Sequence, residues 1–274
     1  MKFALDEYAN LNSPIHRWDV RYKLIGLIAL MFAFATVNSW YLIPLMLLVT
    51  LMLYGISKLP LSFLASRLRY PGFFLLGVII FLPFLSGQTI IWQFGFLTIR
   101  QEGCLAVILI VSRFFAIMTT GLILFGTSSF LTTVKGMRRL GISPIITDML
   151  MLSYRYIFEL SHKLNMMLKA TKLRGFQTSK ISWRNLSVYA ALTGSLLVRS
   201  YQQAERVYQA MLLRGYGNIF NNENHLIFSA SRNGIQFGSD LIYLFLSLII
   251  SVSLIIAELF LLQNYFFWLD FESY

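Results

Sequence analysis

Two stretches of this 274-residue chain repeat one chemistry 40 residues apart. The first reads Ala170-Thr171-Lys172-Leu173-Arg174-Gly175-Phe176 and the second Ala210-Met211-Leu212-Leu213-Arg214-Gly215-Tyr216, a shared A-x-x-L-R-G-aromatic pattern. Glycine just past a helix takes the left-handed conformation that closes it. The arginine before it sits at the negative end of the helix dipole. Its guanidinium offers five donors in a rigid fork, suited to carboxylates or carbonyl oxygens on another surface. A tip bearing one Arg and one aromatic makes a compact plug for a partner's groove. Taken singly, each Leu-Arg-Gly is also an ordinary helix end. A two-fold partner would explain two alike.

Two further charges stand alone in apolar runs, Arg113 and Glu258. An ion inside a membrane span marks a functional site by default, and a structural polar contact is the plainer alternative. His16, His162 and His225 are far apart and Cys104 is the one cysteine, so neither a disulfide nor a metal site within the chain is expected. No G-x-x-x-x-G-K-[ST] sequence occurs. The chain therefore has no recognisable ATP site, and no cofactor is expected. Leu85-Ser86-Gly87-Gln88 resembles a fragment of an ATPase signature by coincidence. Acid-rich pieces occur only at Asp6-Glu7 and Asp270 to Glu272, neither in a D-x-x-D arrangement on a span, which argues against a polytopic membrane enzyme. Few polar groups exist to line a path, which argues against a stand-alone permease.

The elements that carry these residues are set by lipid. The chain is 57% apolar and 13% charged, against roughly 45–50% and about 25% for soluble domains. Its net charge of +11 reads first as a topology signal, and no nucleic-acid-binding signature accompanies it. Residues 1–12 hold acids and no apolar core, unlike a cleaved signal peptide.

Four charge-poor regions can cross a bilayer: Leu24–Ser57, Gly72–Ile99, Gly103–Phe130 and Leu241–Leu269. The first holds 34 uncharged residues, long for one span of about 20. Basic residues flank it on both sides, Arg17, Arg21 and Lys23 before and Lys58, Arg67 and Arg69 after. Both ends are therefore cytoplasmic, and the region crosses twice, turning near Asn38-Ser39. Each half spans about 24 Å, thin but workable. A third span runs near Gly72–Gly87 and a fourth returns over Gly103–Thr127. The segment from Ser128 to Asp240 carries 14 Lys and Arg against 5 Asp and Glu, which places it in the cytoplasm. The last span exits. The reading is an all-α polytopic helical membrane protein of about five transmembrane helices, with its N-terminus cytoplasmic. Its parts are residues 1–127, holding helices one to four; 128–238, the cytoplasmic coupling helices; and 239–274, the last helix and an external tail. The apolar stretch Leu186–Val198 could also enter the membrane and change the count.

Within the basic segment, Ser143 and Pro144 form a helix start. Apolar residues recur at Ile146, Leu150, Tyr154, Ile157, Leu160, Leu164 and Met167, one face of a helix about 45 Å long if unbroken to Leu173. A second amphipathic pattern runs from Val188 to Leu213. The five tryptophans, Trp18, Trp40, Trp92, Trp183 and Trp268, fall near span ends or interface helices, as lipid anchors do.

At these residues the sequence resembles the transmembrane T component of energy-coupling factor (ECF) transporters, of the cobalt type, the CbiQ family. Three stretches carry the likeness: Ser13-Pro14-Ile15-His16-Arg17-Trp18-Asp19-Val20-Arg21-Tyr22-Lys23; Leu140 to Pro144 with Tyr154-Arg155-Tyr156; and Arg199-Ser200-Tyr201 through Ala204-Glu205-Arg206 to Met211. The resemblance implies a non-catalytic coupling subunit of a prokaryotic ABC importer in the cell (inner) membrane, for cobalt or nickel. It implies two ATPase subunits and a small substrate-binding membrane subunit as partners. Leu173-Arg174-Gly175 and Leu213-Arg214-Gly215 would then dock in the two ATPases. A vitamin-type ECF importer is the alternative. Two departures stand out: Leu replaces the family's usual small residue before each Arg, and Val20 replaces a common Pro.

Overall fold

The computed structural model describes residues 13–85, 90–94, 97–176, 183–216 and 234–272. Residues 1–12, Ser86 to Gln88 and His225, all read above from sequence, lie outside the described residues. The chain forms two compact units, one of Met1–Thr133 with Arg232–Tyr274 and one of Val134–Ser231.

The first unit holds α1 (Pro14–Arg17), α2 (Val20–Thr36), a 3₁₀ turn (Trp40–Leu42), α3 (Ile43–Ser57), α4 (Leu61–Leu85), a hairpin of β1 (Ile90–Phe94) and β2 (Leu97–Arg100), and α5 (Gln101–Gly126). It closes with α9 (Gly234–Glu272). Among the described residues four segments are long and apolar enough to cross a membrane: Trp40–Ser57, Leu61–Leu82, Gly103–Gly126 and Asp240–Leu261. The fifth apolar helix, α2, has 17 residues, about 26 Å. The first apolar region does break in two, at Val37–Ser39.

Three boundaries differ from the sequence reading. Helix α4 starts at Leu61, so Arg67 and Arg69 ride on the span's first turns instead of preceding it, and Pro71 sits inside it. Long basic side chains tolerate that place because they reach back to the interface, and neighbouring groups can satisfy the carbonyl a membrane proline leaves free. The antiparallel β1–β2 hairpin joins α4 to α5 where no strand was expected. Helix α9 runs on to Glu272, so the acidic end continues the helix.

Helix α2 is the hub. It packs against both α9 and α5, while α5 also meets α3 and α4. Leu30, Ala33 and Phe34 of α2, Met46 of α3, Ala116 of α5 and Leu254 of α9 form the core. Large apolar side chains such as Phe32, Leu51, Phe73 and Phe74 are instead exposed. Around a membrane helix bundle such a surface meets lipid.

The N-terminal motif ties this unit together. Ser13 Oγ accepts the His16 N–H to cap α1 and lies 2.6 Å from His16 Nδ1. Asp19 Oδ1 accepts the Arg21 N–H to cap α2. Trp18 donates its indole N–H to the Asp240 carbonyl at 3.2 Å and meets the Tyr243 ring edge-on. Lys23 is fully buried and donates to Ser128 Oγ at 2.8 Å. Two sequence readings change accordingly. Lys23 is an internal tie and not a water-facing topology charge, and Trp18 is buried and not a lipid anchor.

The second unit contains α7 (Pro144–Leu173) and α8 (Trp183–Leu213); α6 (Phe130–Arg139) leads into it. Ser143 occupies the expected cap position of α7, but its hydroxyl makes no cap hydrogen bond. Its carbonyl takes the Thr147 N–H instead, and Pro144 at the first position leaves one fewer N–H to satisfy.

The approach of α2 to α9 rests on Gly26, where an added Cβ would lie 2.4 Å from Ser247 Oγ. Gly26→Ala should lower the thermal unfolding midpoint in detergent, with overpacking costing about 1–3 kcal/mol. Adding Ser247→Ala should recover most of that loss, because it removes the hydroxyl that clashes. No recovery would mean that the helices do not meet there.

Candidate functional site

The two Leu-Arg-Gly stretches are helix ends with one geometry. At the end of α7, Gly175 has φ 87° and the Gly175 N–H bonds the Lys172 carbonyl, while the Phe176 N–H bonds that of Thr171. At the end of α8, Gly215 has φ 79°, and the Gly215 and Tyr216 N–H groups bond the Leu212 and Met211 carbonyls. This pair of backward bonds is the Schellman end, and it needs a residue at ease in the left-handed region. Helix α6 ends the same way, through Gly141 at φ 96°. There the residue before the glycine is Leu140, so the cap alone does not call for an arginine.

The aromatics behave differently from the sequence expectation. Both are half-buried and turned back onto the other helix. Phe176 packs edge-on against Tyr189 of α8, centroids 5.4 Å apart. The Tyr216 hydroxyl donates to Asp148 Oδ2 at 3.2 Å, near the start of α7. Asp148 also accepts from Arg138 Nη1 of α6 at 3.0 Å. Burial first, and then the Asp148 charge, raise the Tyr216 phenol above its ordinary value. What faces outward at each tip is the leucine and the arginine, all four side chains being exposed. The outward plug is therefore Leu with Arg, not Arg with an aromatic.

These contacts fix the helix arrangement. Phe176 pairs with Tyr189, Lys163 with Gln203, and Asp148 with Tyr216. Residue numbers rise on α7 as they fall on α8, so the helices run antiparallel and the two tips lie at opposite ends. At mid-length Glu159 accepts from Lys163 at 2.9 Å and from Gln203 Nε2 at 3.0 Å. The hydrogen bond from Lys163, then that from Gln203, holds the Glu159 carboxyl below its ordinary value. Sequence reasoning missed Asp148, Tyr189 and Gln203. Only the shared aromatic of the two repeats hinted that these positions have partners inside the fold.

The two intramembrane charges meet one target. Arg113 Nη2 donates to the Val37 carbonyl, and to Asn38 Oδ1 at 2.9 Å. Glu258 is buried, and its Oε2 accepts the Ser39 N–H at 3.2 Å. Val37 ends α2 and Ser39 precedes the 3₁₀ turn before α3, so both charges clasp the reversal between these helices. Cys104 is a half-buried free thiol. Among the described residues no three His, Cys, Asp or Glu side chains come together as a metal site would need.

The sequence is similar to those of known proteins. The sequence profile of the family described as Cobalt transport protein, CbiQ, matches residues 11–226. The energy-coupling factor transporter transmembrane protein EcfT of Lactococcus lactis subsp. cremoris is 30% identical over 224 residues, covering 77% of this chain and 84% of that protein. The protein of the same name from Listeria innocua is 28% identical over 227 residues, covering 78% and 85%. That from Ruminiclostridium cellulolyticum is 25% identical over 224 residues, covering 78% and 83%. The chain belongs to the CbiQ family of transmembrane components of energy-coupling factor transporters. It is a multi-pass membrane protein and a transporter component, not an enzyme.

If the clasp on the Val37–Ser39 turn holds, Glu258→Gln should be tolerated, because an amide oxygen still accepts the Ser39 N–H. Glu258→Leu and Arg113→Met each leave a backbone group unpaired and should cost about 1–3 kcal/mol. Thermal unfolding in detergent compares them. Equal stability of the Gln and Leu variants would exclude the clasp.

Proposed function

We propose that this chain is the coupling subunit of an ECF-type ABC importer for a transition-metal ion, cobalt or nickel, in a prokaryotic cell (inner) membrane. The two equivalent Leu-Arg-Gly ends carry the reading. Each sets one guanidinium past a closed helix, at opposite ends of one antiparallel pair. Two identical ATPase subunits, each with an acidic groove, are the partners such a pair suits.

In this reading the N-terminus and residues 128–238 face the cytoplasm, as the excess of Lys and Arg there requires. Nucleotide-driven movement of the ATPases pulls on the tips. The motion passes along α7 and α8 to the membrane helices and to a small substrate-binding membrane subunit, whose cargo is then released inward. The metal assignment is supported by the profile's description as Cobalt transport protein and by the Ser13–Lys23 motif. The EcfT relatives have names that specify no cargo, and a vitamin-type importer is the second reading. The ligands that would choose the ion belong to the substrate-binding subunit. Arg113 and Glu258 serve the membrane helices and not a transport path.

Replacing Arg174 and Arg214 together with Ala should abolish co-purification of the ATPases and ATP-dependent uptake, while membrane insertion is unchanged. Truncating one partner of a buried charged pair costs about 2–5 kcal/mol of binding. Uptake of radioactive cobalt and nickel ions by cells producing the whole transporter separates the metal reading from the vitamin reading. A double variant that still binds ATPases and transports normally would overturn the proposal.

A further inference from the structure

We infer that Leu173 and Leu213 are paired apolar knobs that select the ATPase partner, each entering a recess beside the acidic group that takes the neighbouring arginine. The inference rests on the docking role proposed for Arg174 and Arg214. Both leucines are 91% exposed, and each is the last residue of its helix, two positions before a left-handed glycine. Single exposed leucines are common on any protein. Here the same side chain takes the same place twice, at the two ends of one helix pair.

The fold had a way to cover apolar surface at these ends and used it for other residues. Phe176 turns in against Tyr189 and Tyr216 turns in toward Asp148. The leucines are held outward by the same caps, because the backward hydrogen bonds fix the direction in which the last turn points. At the end of α6, which closes in the same way, the equivalent place two residues before the glycine is also exposed but holds Arg139. The cap turns this place outward at all three ends, and only the two Leu-Arg-Gly ends fill it with an apolar side chain.

The occupant follows from the repetition. Two copies of one chain, each with an apolar recess next to a carboxylate, match two identical Leu-Arg pairs. About 38 Å of α7 separates Leu173 from Asp148, beside which the second tip is anchored. One groove cannot take both tips, so each leucine serves its own subunit. An ATPase without the recess would leave the leucine against a closed wall and hold the arginine away from its carboxylate. That makes the leucine a specificity element as well as a source of affinity.

The test uses the full-length chain in detergent and its ATPase subunits, with binding measured by titration. Leu173→Ala and Leu213→Ala should each weaken binding about tenfold or more, since each removes a buried leucine side chain from the interface. Leu173→Met and Leu213→Met should bind close to the parent, because methionine supplies similar apolar volume. All four variants should unfold at the parent temperature, the side chains being exposed in the free chain. If the alanine variants bind like the parent while Arg174→Ala and Arg214→Ala lose binding, the knobs are refuted and the docking role stands. If the arginine variants also bind normally, both fail.

Discussion

Hydrocarbon offers no water to an unpaired backbone N–H or C=O, so every break in a membrane helix must be satisfied by protein. This chain breaks its first apolar region at Val37–Ser39, where the turn meets Arg113 from part-way along α5 and Glu258 from near the end of the α9 span. Arg113 of α5 and Glu258 of α9 supply the donor and the acceptor that the break lacks. Two charges that each cost a few kcal/mol to bury alone thus replace a solvent that is absent. The packing of α2 against both α5 and α9 is what brings these groups to the same turn.

The other end of α2 is held by a second buried polar set. Lys23 reaches Ser128 just past the end of α5, and Trp18 reaches the Asp240 carbonyl at the start of the α9 span. One short motif therefore joins α1, α2, α9 and the link from α5 to α6. Its chemistry-bearing residues divide the labour. Ser13 and Asp19 cap helices, while Trp18 and Lys23 tie them to distant segments. The Trp and Lys side chains carry only donors, and a carbonyl and a hydroxyl oxygen accept one hydrogen bond from each.

In the second unit, helix ends take the place that side-chain clusters hold in enzymes. A Schellman end is closed by its own backbone, so its exposed side chains remain available to a partner. Inward aromatics, the Glu159–Lys163–Gln203 contact and the Asp148 bridge keep the two helices antiparallel and hold the tips apart.

Much of this was legible in the chain itself. Apolar run lengths determine a multi-pass helical protein, because lipid imposes that length on sequence. The repeated Leu-Arg-Gly-aromatic endings determine two helix ends with outward arginines, because glycine at that offset closes a helix locally. Tertiary structure alone decided which way Phe176 and Tyr216 turn, that Lys23 is buried, and that Arg113 and Glu258 share one turn. Those outcomes depend on contacts between residues 13 to 219 positions apart, and no local pattern records which distant segment a side chain will meet.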